Sequence, residues 1–330
     1  MKYVYVLVSS EDDLYYEQAL MSVWSLKFQM PQAHVTVLCD DVTEKGLCGK
    51  RDALKNLATE IRAIPFDAGT GKAERSRLIK TAIPDYVDGD FLYIDCDTVI
   101  CADLSEIERF DFHVAAVLDG HVPLNEHIHK DYFLKREKKS GYTGTKEQGF
   151  HINSGVILYK DCEKSRNFFR MWHNLWLQNY ERFRDHHDQG PFNEAFHRMG
   201  FGNSLLPGEW NCQPSHGGLA FLRDAKIIHY YSSEFAGRHY LPYYRLADKT
   251  LQQRIKEAGE IPGDIQAMLR EPKFQFNKVH LINDRRIVGI MQSPLVFTLA
   301  DIKEKLPQLF RFWEAQAAFV RALGKRLKGK

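Results

Sequence analysis

Phe91-Leu-Tyr-Ile-Asp-Cys-Asp-Thr-Val-Ile100 is an apolar run interrupted by two aspartates one residue apart. A run of this kind reads as a buried strand, and charged groups at the mouth of a buried strand need a partner. In an extended strand Asp95 and Asp97 project from one face, because side chains alternate with period two. A turn at the strand end brings them closer still. Paired hard oxygens suit Mg²⁺ or Mn²⁺, and the natural client of such an ion is a diphosphate. The stretch therefore predicts a metal and diphosphate site at the C-terminal edge of a mixed α/β sheet.

The flanking segments agree with that sheet. Lys2–Ser10 and Ala33–Cys39 are β-branched and apolar runs, Glu60–Pro65 is a third, and residues 15–28 and 52–59 between them have helical spacing. Strand, helix, strand, helix, strand is the opening of a doubly wound sheet. Ser76–Ile83 reads as a helix that stops before Pro84, Asp103-Leu-Ser-Glu-Ile as a short helix start, and His113–Leu118 as the next strand, broken at Asp119-Gly120. Residues 121–149 are polar and rich in His, Lys and Gly, which predicts a long surface excursion. Asn153-Ser-Gly opens a strand over Val156–Tyr159, the aromatic segment Arg166–Tyr180 and then Phe192–Met199 are helices, and Ala225–His229 is a short strand that ends on a potential ligand.

The 330 residues suffice for one catalytic domain, placed at 1–245, and a mostly helical extension at 246–330. In the extension two helices, a β-like pair at Lys278–Leu281 and Ile287–Met291, and a long final helix are expected. A formal charge of +2 excludes a global field that would draw the chain to nucleic acid. The basic character is local: from Asp301 onward eight Lys and Arg stand against three Asp and Glu. There Leu306, Phe310, Trp313, Ala317, Val320 and Leu327 form one helical stripe beside Arg311, Arg321, Lys325, Arg326 and Lys328, which fits packing on the catalytic domain or peripheral contact with anionic lipid. The six cysteines, at 39, 48, 96, 101, 162 and 212, include no CxxC pair, which argues against a zinc ribbon or a thioredoxin-like site and for buried thiols. With no signal peptide and no bilayer-length apolar stretch, the expected location is cytoplasmic, at most peripheral at the inner face of the membrane.

These pieces, in this order, resemble the family 8 glycosyltransferases from about Tyr3 to His229. The resemblance implies a GT-A fold, a nucleotide-sugar-binding α/β domain with a Rossmann-like mixed sheet flanked by helices. It also implies that Asp95-Cys96-Asp97 holds a manganese ion against the diphosphate of a UDP-sugar. Ser9 at the end of the first strand, followed by Asp12-Asp13-Leu14-Tyr15, resembles the family's uridine-binding turn, in which Asp13 and Tyr15 meet the base. Ser76-Arg77-Leu-Ile-Lys80-Thr-Ala-Ile-Pro84 resembles the segment whose basic residue contacts the donor, which points to Lys80. Asp119 resembles a donor-sugar carboxylate, Phe150-His-Ile-Asn153-Ser-Gly155 the family's Phe-Asn-Ser-Gly, and Asp188-Gln189 its Asp-Gln pair. Ile228-His229-Tyr230 resembles the site of the histidine that completes the metal shell. Where the family continues with Gly and Lys-Pro-Trp, this chain reads Tyr231-Ser-Ser-Glu-Phe-Ala-Gly237-Arg238-His239, so Arg238 or His239 stands in for the diphosphate lysine.

The implied activity is metal-dependent transfer of a hexose, glucose or galactose, from a UDP-sugar to a hydroxyl of a saccharide or glycolipid, with retention. Retention requires a covalent carboxylate intermediate or same-face attack, and Gln189 is a poor nucleophile. The departure after His229 raises the rival reading of a noncatalytic sugar-nucleotide-binding or scaffold protein. A nucleotidyltransferase would show a glycine-rich phosphate loop after the first strand, and Ser9-Ser-Glu-Asp-Asp13 is not one.

Overall fold

The computed structural model describes residues 1–231, 243–277, 289–291 and 293–328. In chain order these form β1 (Lys2–Leu7), α1 (Tyr15–Gln29), β2 (His34–Asp40), α2 (Asp41–Gly46), α3 (Ala53–Leu57), β3 (Glu60–Ile64) and α4 (Lys72–Thr81). Then come β4 (Phe91–Ile94), β5 (Thr98–Ile100), β6 (Val114–Leu118), α5 (Lys130–Ser140), α6 (Gly144–Gln148) and β7 (Ile152–Tyr159). α7 (Glu163–Phe183), α8 (Gln189–Arg198), β8 (Ile227–His229), α9 (Lys249–Ala258) and α10 (Gly263–Arg270) follow.

Six strands form one sheet in the order β3-β2-β1-β4-β7-β6. The pairs β3–β2, β2–β1 and β1–β4 are parallel, whereas β7 runs antiparallel to β4 and to β6. The sheet is mixed, as the sequence predicts, and both faces are covered. Tyr3, Tyr5 and Leu7 of β1 pack on the face that α1 covers, while Val4 and Val6 pack on the face that holds Phe168, Phe169 and Trp172 of α7. A strand buried on both sides reads as a continuous apolar run, which is why these segments were legible as strands.

The deciding stretch is not one strand. β4 ends at Ile94, residues 95–97 turn out of the sheet, and β5 pairs antiparallel with β8 in a separate two-stranded ribbon. Thr98 stands opposite His229 in that ribbon. A second irregularity faces it. β7 pairs Ile157 with Ala116, then resumes with Asn153 opposite Val117, so residues 154–156 are released from β6. A bulge of this kind bends the strand and redirects side chains, and here the Gly155 carbonyl accepts from the Asp95 N–H at 2.7 Å.

Other expectations are corrected in their bounds. α4 begins at Lys72, and β7 contains Asn153-Ser-Gly rather than following it. Ser105–Arg109 is a 3-10 turn. The excursion 121–149 contains α5 and α6; Gly141 ends α5 in the left-handed conformation, a stop signal inside what read as loop. Asp40 caps α2 by accepting from the Thr43 N–H at 2.9 Å. All six cysteines are free, with Cys39 and Cys212 buried and Cys48 exposed.

The chain divides into compact units at 1–278 and 279–330. The expected boundary at 245 falls inside the first, because α9 and α10 lie against α1: Gln252 of α9, fully buried, accepts from Gln18 of α1 at 3.2 Å. The second unit has helices Pro294–Lys305 and Pro307–Lys328, with Leu309, Phe312, Trp313, Phe319 and Val320 exposed. Of the expected β-like pair only 289–291 are described, and they are helical. Among the described residues no helix is long and apolar enough to cross a membrane.

Candidate active site

Asp95 and Asp97 leave the sheet in the turn between β4 and β5, and His229 arrives beside them at the end of β8. One ligand atom from each lies within 4.8 Å of the other two. His229 Nε2 is 3.2 Å from Asp97 Oδ1, and the histidine is 3% exposed. The tautomer of His229 follows from a relay anchored on the backbone. The Gly155 N–H donates to Asn153 Oδ1 at 2.9 Å, so that oxygen is an acceptor, and Asn211 must present Nδ2 to it at 2.8 Å. Asn211 Oδ1 then faces His229 Nδ1 at 3.1 Å and accepts its proton. In the neutral ring Nε2 is left with the lone pair, on the side of the aspartates. Outer partners of this sort fix the ring and raise ligand basicity.

Gly155 permits the approach. A Cβ there would stand 2.4 Å from His229 Cε1 and 2.8 Å from Asn153 Oδ1. Burial favours neutral His229, but Asp97 and Asp95 outweigh it and raise its pKa above the ordinary value. Two carboxylates and one imidazole are a donor set that fits Mn²⁺ or Mg²⁺.

Lys80 is buried against this cluster, 3.3 Å from Asp95 Oδ1 and 3.1 Å from Asp188 Oδ2. Arg77, one turn earlier on α4, places Nε 3.0 Å from Asp188 Oδ1. Arg77 has no role expected from the sequence alone; its spacing of three residues from Lys80 on a helix is the signal that puts both on one face. Tyr93 of β4 also joins, donating to Asp95 Oδ1. Asp188 precedes α8 and accepts from Ser154 at 3.2 Å. Burial would raise its pKa, yet Lys80 and Arg77 hold it well below the usual carboxylate range.

On the far side, Asp119 lies at the turn that ends β6. Gln189, the first residue of α8, donates Nε2 to Asp119 Oδ2, and Asn153 Nδ2 is 3.4 Å from the same oxygen and 2.9 Å from the Tyr231 hydroxyl. Burial opposes ionisation of Asp119. The contact with His127, and the charges that His151, His127 and His216 carry at acid pH, outweigh it and depress its pKa. Burial in turn pushes His121, His151 and His216 each down to about 4, so these rings are neutral near pH 7.

The turn after β1 is built around Asp13. Its carboxylate accepts from Ser9 Oγ at 2.7 Å, Ser10 N at 2.9 Å and Tyr15 N at 3.0 Å, and Lys72 pairs with it. Asp13 thus orders the loop, leaving the Tyr15 ring 45% exposed with Lys72 Nζ 5.3 Å above it. Ser9 is buried and also accepts from Arg51 at 2.6 Å. Cys96 turns its thiol to the Val6 carbonyl at 3.4 Å, and burial pushes that thiol well above its ordinary range. Arg238 and His239 lie outside the described residues.

The structure thus brings Asp95, Asp97, His229, Lys80, Asp188, Gln189, Asp119 and Asn153 together through direct or shared contacts. Three of these carboxylates, Asp95, Asp97 and Asp188, cluster with two cations, Arg77 and Lys80, which leaves an excess of negative charge beside the Asp95, Asp97 and His229 group. The sequence model of glycosyl transferase family 8 matches residues 11–234, more than half of the chain, and the chain belongs to that family. It is a family of sugar transfer from nucleotide donors with a divalent metal, built on the GT-A fold.

Among solved structures, mouse xyloside xylosyltransferase 1 in its apo form is 13% identical, over 69% of this chain and 96% of that chain, with a TM-score of 0.47. The galactosyltransferase LgtC in complex with donor and acceptor sugar analogs is 16% identical, over 81% and 99%, with a TM-score of 0.49. The glycosyltransferase GlyE of Streptococcus pneumoniae TIGR4 is 17% identical, over 84% and 66%, with a TM-score of 0.47. No curated protein matches the sequence.

Cutting the relay at Asn211 frees the His229 ring without touching a ligand atom. Asn211→Ala is expected to weaken Mn²⁺ binding about 10- to 100-fold, measured by calorimetry on protein whose circular dichroism shows it folded.

Proposed function

We propose that this chain is a UDP-sugar-dependent hexosyltransferase that moves glucose or galactose, with retention, to a hydroxyl of a saccharide or glycolipid. The observation that carries the reading is the convergence of Asp95, Asp97 and His229 beside Lys80 and Arg77. Such a cluster matches the chemical demand of the reaction, which is to stabilise a departing diphosphate. Asp95, Asp97 and His229 would hold Mn²⁺ or Mg²⁺, which when bound neutralises charge on that leaving group.

The other roles belong to the protein's own groups. Tyr15 offers an exposed ring to uracil on a turn that Ser9 and Asp13 pre-order. Lys80 is buried between Asp95 and Asp188, where an ammonium is worth more to a diphosphate than in water. Arg238 is the further cation we assign to the diphosphate. Asp119, Asn153, Asp188 and Gln189 line the sugar side; Gln189, with its nitrogen donated to Asp119, offers an uncharged carbonyl oxygen to the ring's developing positive charge. The terminal helix adds exposed Phe312, Trp313, Phe319 and Val320 to a basic sequence, a combination suited to peripheral contact with anionic lipid and hence to a lipid-linked acceptor.

UDP release from a panel of UDP-hexoses with Mn²⁺ tests the central reading and separates enzyme from scaffold, since a scaffold releases none. Asp97→Ala should reduce release by at least about 100-fold with an unchanged circular dichroism spectrum; near-normal turnover would refute the metal assignment. For the membrane contact, flotation with anionic vesicles should be lost in a chain ending at Gln308, and equal flotation of the two forms would sink that part of the reading.

A further inference from the structure

Three side chains from separate parts of the chain converge on the carboxylate of Asp119. Gln189 and Asn153 reach Oδ2, and His127 Nε2 lies 3.4 Å from Oδ1. Gln189 is half-buried and able to meet a substrate, but the His127 side chain is 1% exposed. Whatever His127 contributes to sugar transfer, it contributes through Asp119.

Its protonation state follows from the backbone. The His129 N–H donates to His127 Nδ1 at 3.0 Å, so Nδ1 carries the lone pair and Nε2 the proton; Nε2 is buried without a hydrogen-bond partner, with Asp119 Oδ1 3.4 Å away. The ring is held in place by Phe133, 4.9 Å away, and by His129, 5.7 Å away. Gly120 leaves room for it: at φ 65° it adopts the left-handed conformation, and a Cβ there would stand 2.6 Å from His127 Nε2. The terminal torsion of an aspartate is soft, so the donors around Asp119 decide the plane of its carboxylate.

We infer that His127 is a positioning residue: its buried Nε2–H, without a hydrogen-bond partner and 3.4 Å from Asp119 Oδ1, closes on that oxygen when the donor sugar is bound and so fixes the plane in which this carboxylate meets the sugar hydroxyls. The inference rests on the reading of Asp119 as a donor-sugar ligand. It assigns a function to the histidine-rich segment after β6, of which the metal cluster makes no use. It also predicts a separation that a merely structural role would not produce, because free UDP lacks the sugar that Asp119 would contact.

The test is calorimetry with Mn²⁺ on full-length protein, comparing UDP with UDP-glucose and UDP-galactose. His127→Leu is expected to weaken the UDP-sugar that the wild type binds by about tenfold, the scale of one hydrogen bond to a charged group, and to leave UDP within about twofold. His127→Gln, whose Nε2 can replace the imidazole N–H, is expected to recover most of the loss. In an Asp119→Asn background His127→Leu should add less than about twofold, the mark of two residues acting as one. A parallel loss of UDP affinity, or losses that multiply in the Asp119→Asn background, would overturn the inference. So would an unaffected His127→Leu beside a strongly impaired Asp119→Asn. If Asp119→Asn itself binds UDP-sugar normally, the donor-sugar role of Asp119 fails and the inference fails with it. Should His127→Leu not fold, His127→Asn, which is too short to reach Asp119, takes its place with the same expected loss.

Discussion

The balance of charge around Lys80 is the constraint on which the site depends. An ammonium this deeply buried is tolerated only beside carboxylates, and carboxylates this close together only beside cations. Asp95 is shared between Lys80 and the metal cluster, and Asp188 between Lys80 and Arg77. The arrangement still carries excess negative charge. A group with that deficit favours a divalent cation on electrostatic grounds before any substrate contributes.

The scaffold serves this balance through its irregularities. A regular β4 continuing through Ile100 would keep Asp95 and Asp97 within the sheet. The turn after Ile94 instead sends the chain into a second ribbon, and the bulge in β7 supplies a carbonyl that anchors the turn. Gly155 is placed where two elements come too close for a side chain. Departures from ideal geometry gather where chemistry is to happen, in line with the general tendency of strands to bulge next to active sites.

Much of this was legible in the sequence, and for identifiable reasons. β1, β2 and β4 are buried on both faces and so read as unbroken apolar runs. Asp95, Asp97 and His229 terminate such runs, where charge is conspicuous. Three things were not legible. Arg77 sat beside Lys80 in a segment whose helix began four residues earlier than its apolar pattern indicated. Asn211 acts only through His229, and its neighbours in sequence give no sign of that partner. α5 and α6 are short and polar, held by capping and by contacts with α8 such as Glu194 accepting from the Gly144 N–H at 2.8 Å, so hydrophobic period carried no signal for them. Cys96, flanked by the two aspartates, turns its thiol the other way, toward the Val6 carbonyl.

The ribbon of β5 and β8 also has a meaning in time. Its two strands are separated by more than a hundred residues of chain, so the contact between Thr98 and His229 belongs to the slow, non-local class of folding events. During synthesis the carboxylate pair emerges early and must wait for roughly two fifths of the protein to follow before its imidazole arrives. Until then the nascent chain holds a half-built, weakly attracting pair of acids. The three-residue cluster is thus completed late, when β8 pairs with β5, rather than helping to start folding.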